Sequence, residues 1–229
     1  MESIKAVLLE PVGCLAEFAP DAFNRPAADL FGARPDAEAS GSQAYWRLMG
    51  LMDERPLSGA DLARLAELEV AAVEHADLYE DALPALAELK SLGVATVLAS
   101  SLSRAAVTHF IERHALADLL AGAVTRDEAG GVMGKVLSAV TQKAQLAPSH
   151  VMALADTAQG LAIAKQLGVN AMLMINDYDE GRALAERNPA GGIVSLAELP
   201  DALRLIEQRS GIRASTHVPH APFELFDPT

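Results

Sequence analysis

The sequence predicts a doubly wound α/β fold, a parallel sheet covered by helices on both faces and interrupted by one all-helical insertion. Three observations predict it. Short and mostly apolar runs recur along the chain, as expected of parallel strands buried on both sides. Segments with apolar residues at helical spacing lie between them, which gives the βαβ alternation of such folds. The strand signal then lapses between about residues 16 and 77, where only helical stretches are read.

The expected strands are residues 6–10, 95–100, 121–124, 151–155, 171–175 and 192–195. The helices expected between them are 83–92, 103–114, 136–146, 159–167 and 179–187. The insertion is punctuated by Pro20, Pro26, Pro35, Pro56 and the small-residue cluster at 39–42, and its clearest helix is 62–73. This divides the chain into a core (1–15 and 78–208), a helical cap (16–77) and a Pro-rich tail (209–229) carrying Pro219, Pro222 and Pro228. Tyr45 and the single tryptophan, Trp46, fall in the cap, where they either line a pocket or pack its interior.

Composition narrows the function. A chain of 229 residues that is 51% hydrophobic buries a large core with room for one insertion. Its apolar runs are only strand length and its start lacks a basic segment before a long apolar one, so neither a membrane partner nor a secretory leader is expected, and the expected location is cytoplasmic. A net charge of −13 without a basic stripe argues against nucleic acid as a partner. One cysteine, Cys14, excludes an internal disulfide and reads as a small buried side chain. The stretch 129–136 approaches a nucleotide-binding P-loop, but Ala129 and Val136 stand where that motif needs glycine and a hydroxyl. His109 and His114 lie on different helix faces and make a poor metal pair.

Four segments carry chemistry. Lys5-Ala-Val-Leu-Leu-Glu10 is an apolar strand delivering a carboxylate to a sheet edge, followed by Pro11-Val12-Gly13-Cys14-Leu15. Val97-Leu-Ala-Ser-Ser101 is a strand ending in hydroxyls, Gly134-Lys135 precedes a helix, and Val151-Met-Ala-Leu-Ala-Asp156 leads through Thr157 to Gly160 and on to Ala164-Lys-Gln-Leu-Gly168. In this order and context they resemble the motifs of the haloacid dehalogenase-like hydrolases, in the group with a helical cap after the first motif, such as phosphoglycolate phosphatases and β-phosphoglucomutases. The resemblance covers residues 4–205 and implies a Rossmann-like core.

It also implies roles. The family's Asp-x-Asp-Gly-Thr-Leu corresponds to Glu10-Pro-Val-Gly-Cys-Leu15, so Glu10 occupies the nucleophile's position and Val12 that of the general acid–base. Ser100, Ser101 and Lys135 are the implied phosphate ligands, and Glu10, the Val12 carbonyl and Asp156 the implied ligands of a Mg²⁺ ion. Read without the family, Ser100, Ser101 and Asp156 are equally well helix caps, and Lys135 a solvated side chain. The two replacements matter for turnover. The extra methylene of Glu10 displaces its oxygens by roughly 1 Å, which costs about 10²-fold, and a lost acid–base group costs about 10² to 10⁴-fold.

The expected function is that of a non-catalytic or weakly active relative that binds a phosphorylated small molecule or a protein partner. The alternative is an active Mg²⁺-dependent phosphatase of small phosphomonoesters with a rearranged acid, for example one donated by the cap. A third is an interaction module using the acidic surface and the tail. Substrate and oligomeric state are not legible.

Overall fold

The computed structural model describes residues 3–209, so the tail expected at 209–229 lies, beyond Arg209, outside the described residues. The chain runs β1 (Ala6–Leu9), a turn over Pro11–Leu15, β2 (Ala16–Glu17), α1 (Asp21–Phe31), α2 (Gly41–Glu54), α3 (Gly59–Val73) and β3 (Asp77–Leu78). It continues through α4 (Ala82–Ser91), β4 (Ala95–Ser100), α5 (Arg104–Arg113), β5 (Gly122–Thr125), α6 (Arg126–Ala129) and α7 (Gly134–Ala144). The last elements are β6 (Val151–Ala155), α8 (Ala158–Gln166), β7 (Asn170–Met174), α9 (Tyr178–Ala185), β8 (Gly191–Ile193) and α10 (Leu199–Arg209).

Six strands form one sheet in the order β5-β4-β1-β6-β7-β8, with every pairing parallel. After β1 the chain winds outward through β4 and β5, then returns to β6 on the other side of β1. The topological switch point is therefore between β1 and β6, where open α/β sheets leave a crevice at the carboxyl ends of their strands. Glu10 follows β1 and Asp156 follows β6, so both stand at that point.

Alternation along the strands explains why both faces are covered. Val7, Leu9, Leu98, Met152 and Met172 turn to one side and pack with Leu86 and Leu89 of α4, Phe110 of α5 and Leu203 of α10. Their neighbours Leu8, Val97, Val124, Val151 and Ala153 turn to the other and pack with Val136 and Val140 of α7 and Ala164 of α8. Burying Leu- or Val-sized side chains contributes about 1.5–3 kcal/mol each, which is why the apolar runs outrank local propensity here.

Helices α1–α3 fill the segment expected to be helical, and local signals set their starts. Ser40 accepts from Gln43 N at 3.2 Å while the Gln43 side chain accepts from Ser40 N at 2.9 Å, a reciprocal cap that begins α2. The Ser58 hydroxyl accepts from Asp61 N at the start of α3. One expectation is corrected: the segment is not free of strand. Its two ends pair antiparallel as β2 and β3, Ala16 opposite Leu78 and Glu17 opposite Asp77, two residues each and too short to show alternation in sequence. No helix among the described residues is long and apolar enough to cross a membrane.

Candidate functional site

Glu10 leaves β1 into the turn at Pro11–Leu15, whose shape depends on Gly13. Its φ of +78° is left-handed, and a Cβ there would lie 2.1 Å from Asp156 Oδ2 and 2.6 Å from Ser42 Oγ. Only glycine lets this turn close against Asp156 and α2. Val12, the residue at the acid–base position, is fully buried in the apolar core and offers no titratable group.

Glu10 is 7% exposed and its carboxyl is enclosed by donors. The Tyr45 hydroxyl, from α2, lies 2.7 Å from Oε2, the Ser100 hydroxyl bonds Oε1, and the Ser101 N–H reaches Oε2 at 3.2 Å and Tyr45 Oη at 3.0 Å. Burial pushes the Glu10 carboxyl from 4.5 up to about 8; the bonds from Ser100, Tyr45 and Ser101 oppose that rise only in part. At pH 7 Glu10 is therefore mostly neutral.

The backbone amides after β4 are the donors that would cradle an anion at the start of a helix. All four are engaged internally: Ser101 N as above, Leu102 N with Ser100 Oγ, Ser103 N with Glu69 Oε2 at 2.9 Å and Arg104 N with Asp127 Oδ2 at 2.7 Å. Glu69 belongs to α3 and pairs with Arg126 of α6, both buried, while Arg126 also donates to Ser101 O at 3.0 Å. The helical insertion thus places its own carboxylate over these amides.

The structure brings Glu10, Ser100 and Ser101 together, with Val12 and Asp156 beside them, but leaves Lys135 out. Its side chain is 59% exposed, lies against Gly131, and has Asp53 Oδ1 at 4.0 Å; it makes no ion pair with Glu10 or Asp156. Ser101 Oγ is engaged as well, accepting from Met133 N at 2.8 Å. The cap readings resolve differently from expectation. Ser103, not Ser100 or Ser101, caps α5, and Thr157, not Asp156, caps α8.

Asp156 is 7% exposed. Asn176 donates to its Oδ2 at 3.4 Å and to Gly13 O at 2.9 Å. Burial pushes Asp156 up to about 6, the neighbouring Ser42 and Trp46 side chains drawing it back only in part. A cavity of about 430 Å³ opens beside Asp156 at the carboxyl ends of β6, β7 and β8.

The donors implied for Mg²⁺ are two carboxylates, Glu10 and Asp156, and the Val12 carbonyl. Both Glu10 oxygens already accept hydrogen bonds, and among the described residues no three or more His, Cys, Asp or Glu are grouped to hold a metal ion. Mg²⁺ is commonly held by one or two carboxylates with water completing its octahedron, and Asp156 is the carboxylate that could serve at this edge.

The order of these elements can be compared with known proteins. The family model of the haloacid dehalogenase-like hydrolases matches residues 8–168, well over half of the chain. The chain belongs to this family. Solved structures of the haloacid dehalogenase-like fold agree in architecture. A haloacid dehalogenase-like family protein from Streptococcus pneumoniae is 17% identical with a TM-score of 0.65, over 87% of this chain and 98% of that one. CbbY from Rhodobacter sphaeroides, solved in complex with phosphate, is 22% identical with a TM-score of 0.63, over 88% and 99%. The L-2-haloacid dehalogenase from Xanthobacter autotrophicus is 16% identical with a TM-score of 0.58, over 88% and 98%. At these identities the likeness carries the fold alone. No curated protein matches the chain.

Several residues at this haloacid dehalogenase-like site were not legible as such. Tyr45 was read only as a pocket or packing residue, and Glu69, Arg126, Ser42 and Asn176 gave no signal. A buried glutamate midway along an amphipathic helix, on the same face as Leu65 and Val73, is the one hint that Glu69 seeks a partner.

Proposed function

We propose that this chain is a non-catalytic member of the haloacid dehalogenase-like family that works as a small-molecule binding protein. The observation that carries the reading is the state of Glu10: buried, mostly neutral at pH 7, and hydrogen-bonded through both oxygens. A carboxyl attacks phosphorus as an ionised group with an exposed oxygen, and this one has neither property. Val12 adds no proton donor, and Tyr45 and Glu69 from the insertion sit on the groups that would face a phosphate.

A phosphorylated ligand is disfavoured at the cavity beside Asp156, because no Lys, Arg or His lines it. The volume itself suits a small ligand. The test is hydrolysis of 4-nitrophenyl phosphate with Mg²⁺. The expected result is no turnover above background, unchanged by Glu10→Ala. Robust turnover that survives Val12→Ala but is lost on Glu10→Ala would overturn the reading and make Glu10 catalytic with a proton donor from elsewhere.

A further inference from the structure

The contact between Glu69 and Arg126 has two halves that come from different parts of the chain. The half that recognises a carboxylate belongs to the core. Arg126 begins α6, its Nη1 donates to Ser101 O at 3.0 Å, its own amide reaches Leu102 O at 3.4 Å, and its carbonyl accepts from Gly131 N at 3.0 Å. The second donor is the amide of Ser103, just before α5. The occupant belongs to the insertion. Glu69 of α3 accepts from Arg126 Nη1 on Oε1 and from Ser103 N on Oε2 at 2.9 Å, one donor for each oxygen.

Both donors are positioned without help from α3. The residue before Arg126, Thr125, donates its amide to Glu128 at 2.7 Å and so fixes the start of α6, while Ser103 caps α5 through its own hydroxyl, which accepts from Ala106 N at 3.3 Å. A guanidinium and an amide arranged around one carboxylate suit a carboxylate from any source. Glu69 does not saturate them: Arg126 is 5% exposed, yet its Nε has no hydrogen-bond partner among the described residues. On α3 itself Glu69 shares its buried face with Leu65 and Val73, where a carboxylate is tolerated only if it is matched by donors.

None of Glu69, Ser103 and Arg126 lines the cavity beside Asp156, so this is a separate place in the fold. We propose that Glu69 is a tethered, autoinhibitory ligand: it fills a carboxylate-binding site made by Arg126 and the Ser103 amide, and keeps that site closed to free carboxylates. A group held on its own helix acts at an effective concentration on the order of millimolar or above, so a free carboxylate competes poorly while Glu69 is in place. Removing the Glu69 carboxylate opens the site. It then takes a small planar carboxylate in preference to a tetrahedral anion, because the two donors are set to meet the two oxygens of one carboxyl group.

This goes beyond the binding reading above and does not rest on it, and its test measures neither turnover nor the cavity. In the full chain carrying Glu69→Ala the terminal fragment of the side chain is missing, and acetate matches that fragment in size and charge. Thermal unfolding is followed in sodium acetate and in sodium chloride at equal ionic strength. Acetate is expected to raise the melting temperature of Glu69→Ala saturably, by about 3–6 °C at tenfold its half-saturating concentration, and to leave the wild type and Glu69→Ala/Arg126→Met within about 1 °C of their values in chloride. Should Glu69→Ala not fold in chloride, recovery of its circular dichroism on refolding in acetate takes the place of the melting shift, and failure to refold in either salt would overturn the site. Equal shifts in the wild type and Glu69→Ala, or a shift that survives Arg126→Met, would overturn it too. Stronger rescue by sulfate than by acetate would refute the carboxylate assignment.

Discussion

A proton on Glu10 links the state of this side chain to the stability of the fold. Its carboxyl titrates near 8 when folded and near 4.5 when burial is relieved, so the folded chain holds a proton that the unfolded chain releases between those values. That contribution to stability is fully present below about pH 4.5 and is lost as pH rises through 8, at up to roughly 1.4 kcal/mol per pH unit. Asp156, raised from 3.8 to about 6, acts in the same direction but only below about pH 6. Glu10→Gln keeps a neutral side chain of nearly the same shape. Its urea-unfolding stability is expected to be flatter between pH 6 and 8 than that of the wild type. Identical slopes for the two proteins would show that Glu10 is ionised in the fold and would remove the main support for the non-catalytic reading. Gly13 works at the same scale: its left-handed φ and the 2.1 Å approach to Asp156 are what allow the turn after Glu10 to lie beneath α2.

Between elements, the contacts that matter join the helical insertion to the sheet edge. Tyr45 of α2 reaches Glu10 after β1, and Glu69 of α3 reaches Arg126 of α6 and the amide of Ser103 before α5. The Glu69–Arg126 pair is buried on both sides, with side chains only 1% and 5% exposed. Removing one member of such a pair leaves an uncompensated buried charge, at a cost of about 3–5 kcal/mol, whereas replacing both by apolar groups of similar size is close to neutral. Glu69→Leu and Arg126→Met are each expected to cost that much in urea denaturation, and the double variant to recover most of it. Additive losses would mean that the two side chains are stabilised separately and that the insertion is not tied down through them. A tie of this kind also explains why the amides after β4 are unavailable to an anion.

At the scale of the whole molecule, a net charge of −13 sets the electrostatic background. Self-repulsion of that size opposes the compact state, and salt screens it over a Debye length that falls from about 30 Å at 0.01 M to about 10 Å at 0.1 M. The exposed pairs Arg25–Asp21 and Arg64–Asp29 are weakened by the same salt, but such pairs contribute no more than about 1 kcal/mol each. The melting temperature is therefore expected to rise by on the order of 2–4 °C between 10 and 200 mM NaCl, equivalent to about 1 kcal/mol for a chain of this size. A fall would show that the surface pairs outweigh the repulsion.

The order of the fold was legible because buried strands and amphipathic helices write their burial into local pattern. Residues 95–100 and 151–155 were delimited as strands to the residue, and the other four strands of the main sheet to within one or two. The pattern also located the turn after β1 and showed, in Glu10 and Val12, that the two positions implied for nucleophile and acid–base are altered. Features set by partners distant in sequence left no such trace. The β2–β3 pairing needs two residues at each end of a sixty-residue insertion, and the Glu10–Tyr45 and Glu69–Arg126 contacts span 35 and 57 positions. The surroundings of Lys135 were equally hidden: its ammonium lies beside Gly131, with the Asp53 carboxylate 4.0 Å away. The sign of the cavity beside Asp156 belongs to the same class. Its five carboxylates come from segments between residues 17 and 180, and only the winding of the sheet around β1 and β6 sets them around one volume with no cation among them. Local pattern thus determined the strands and the helices, because each depends on neighbours within a turn or a strand. Tertiary structure alone decided which groups surround Glu10 and Val12, because their energies depend on burial and on charges brought together by the fold.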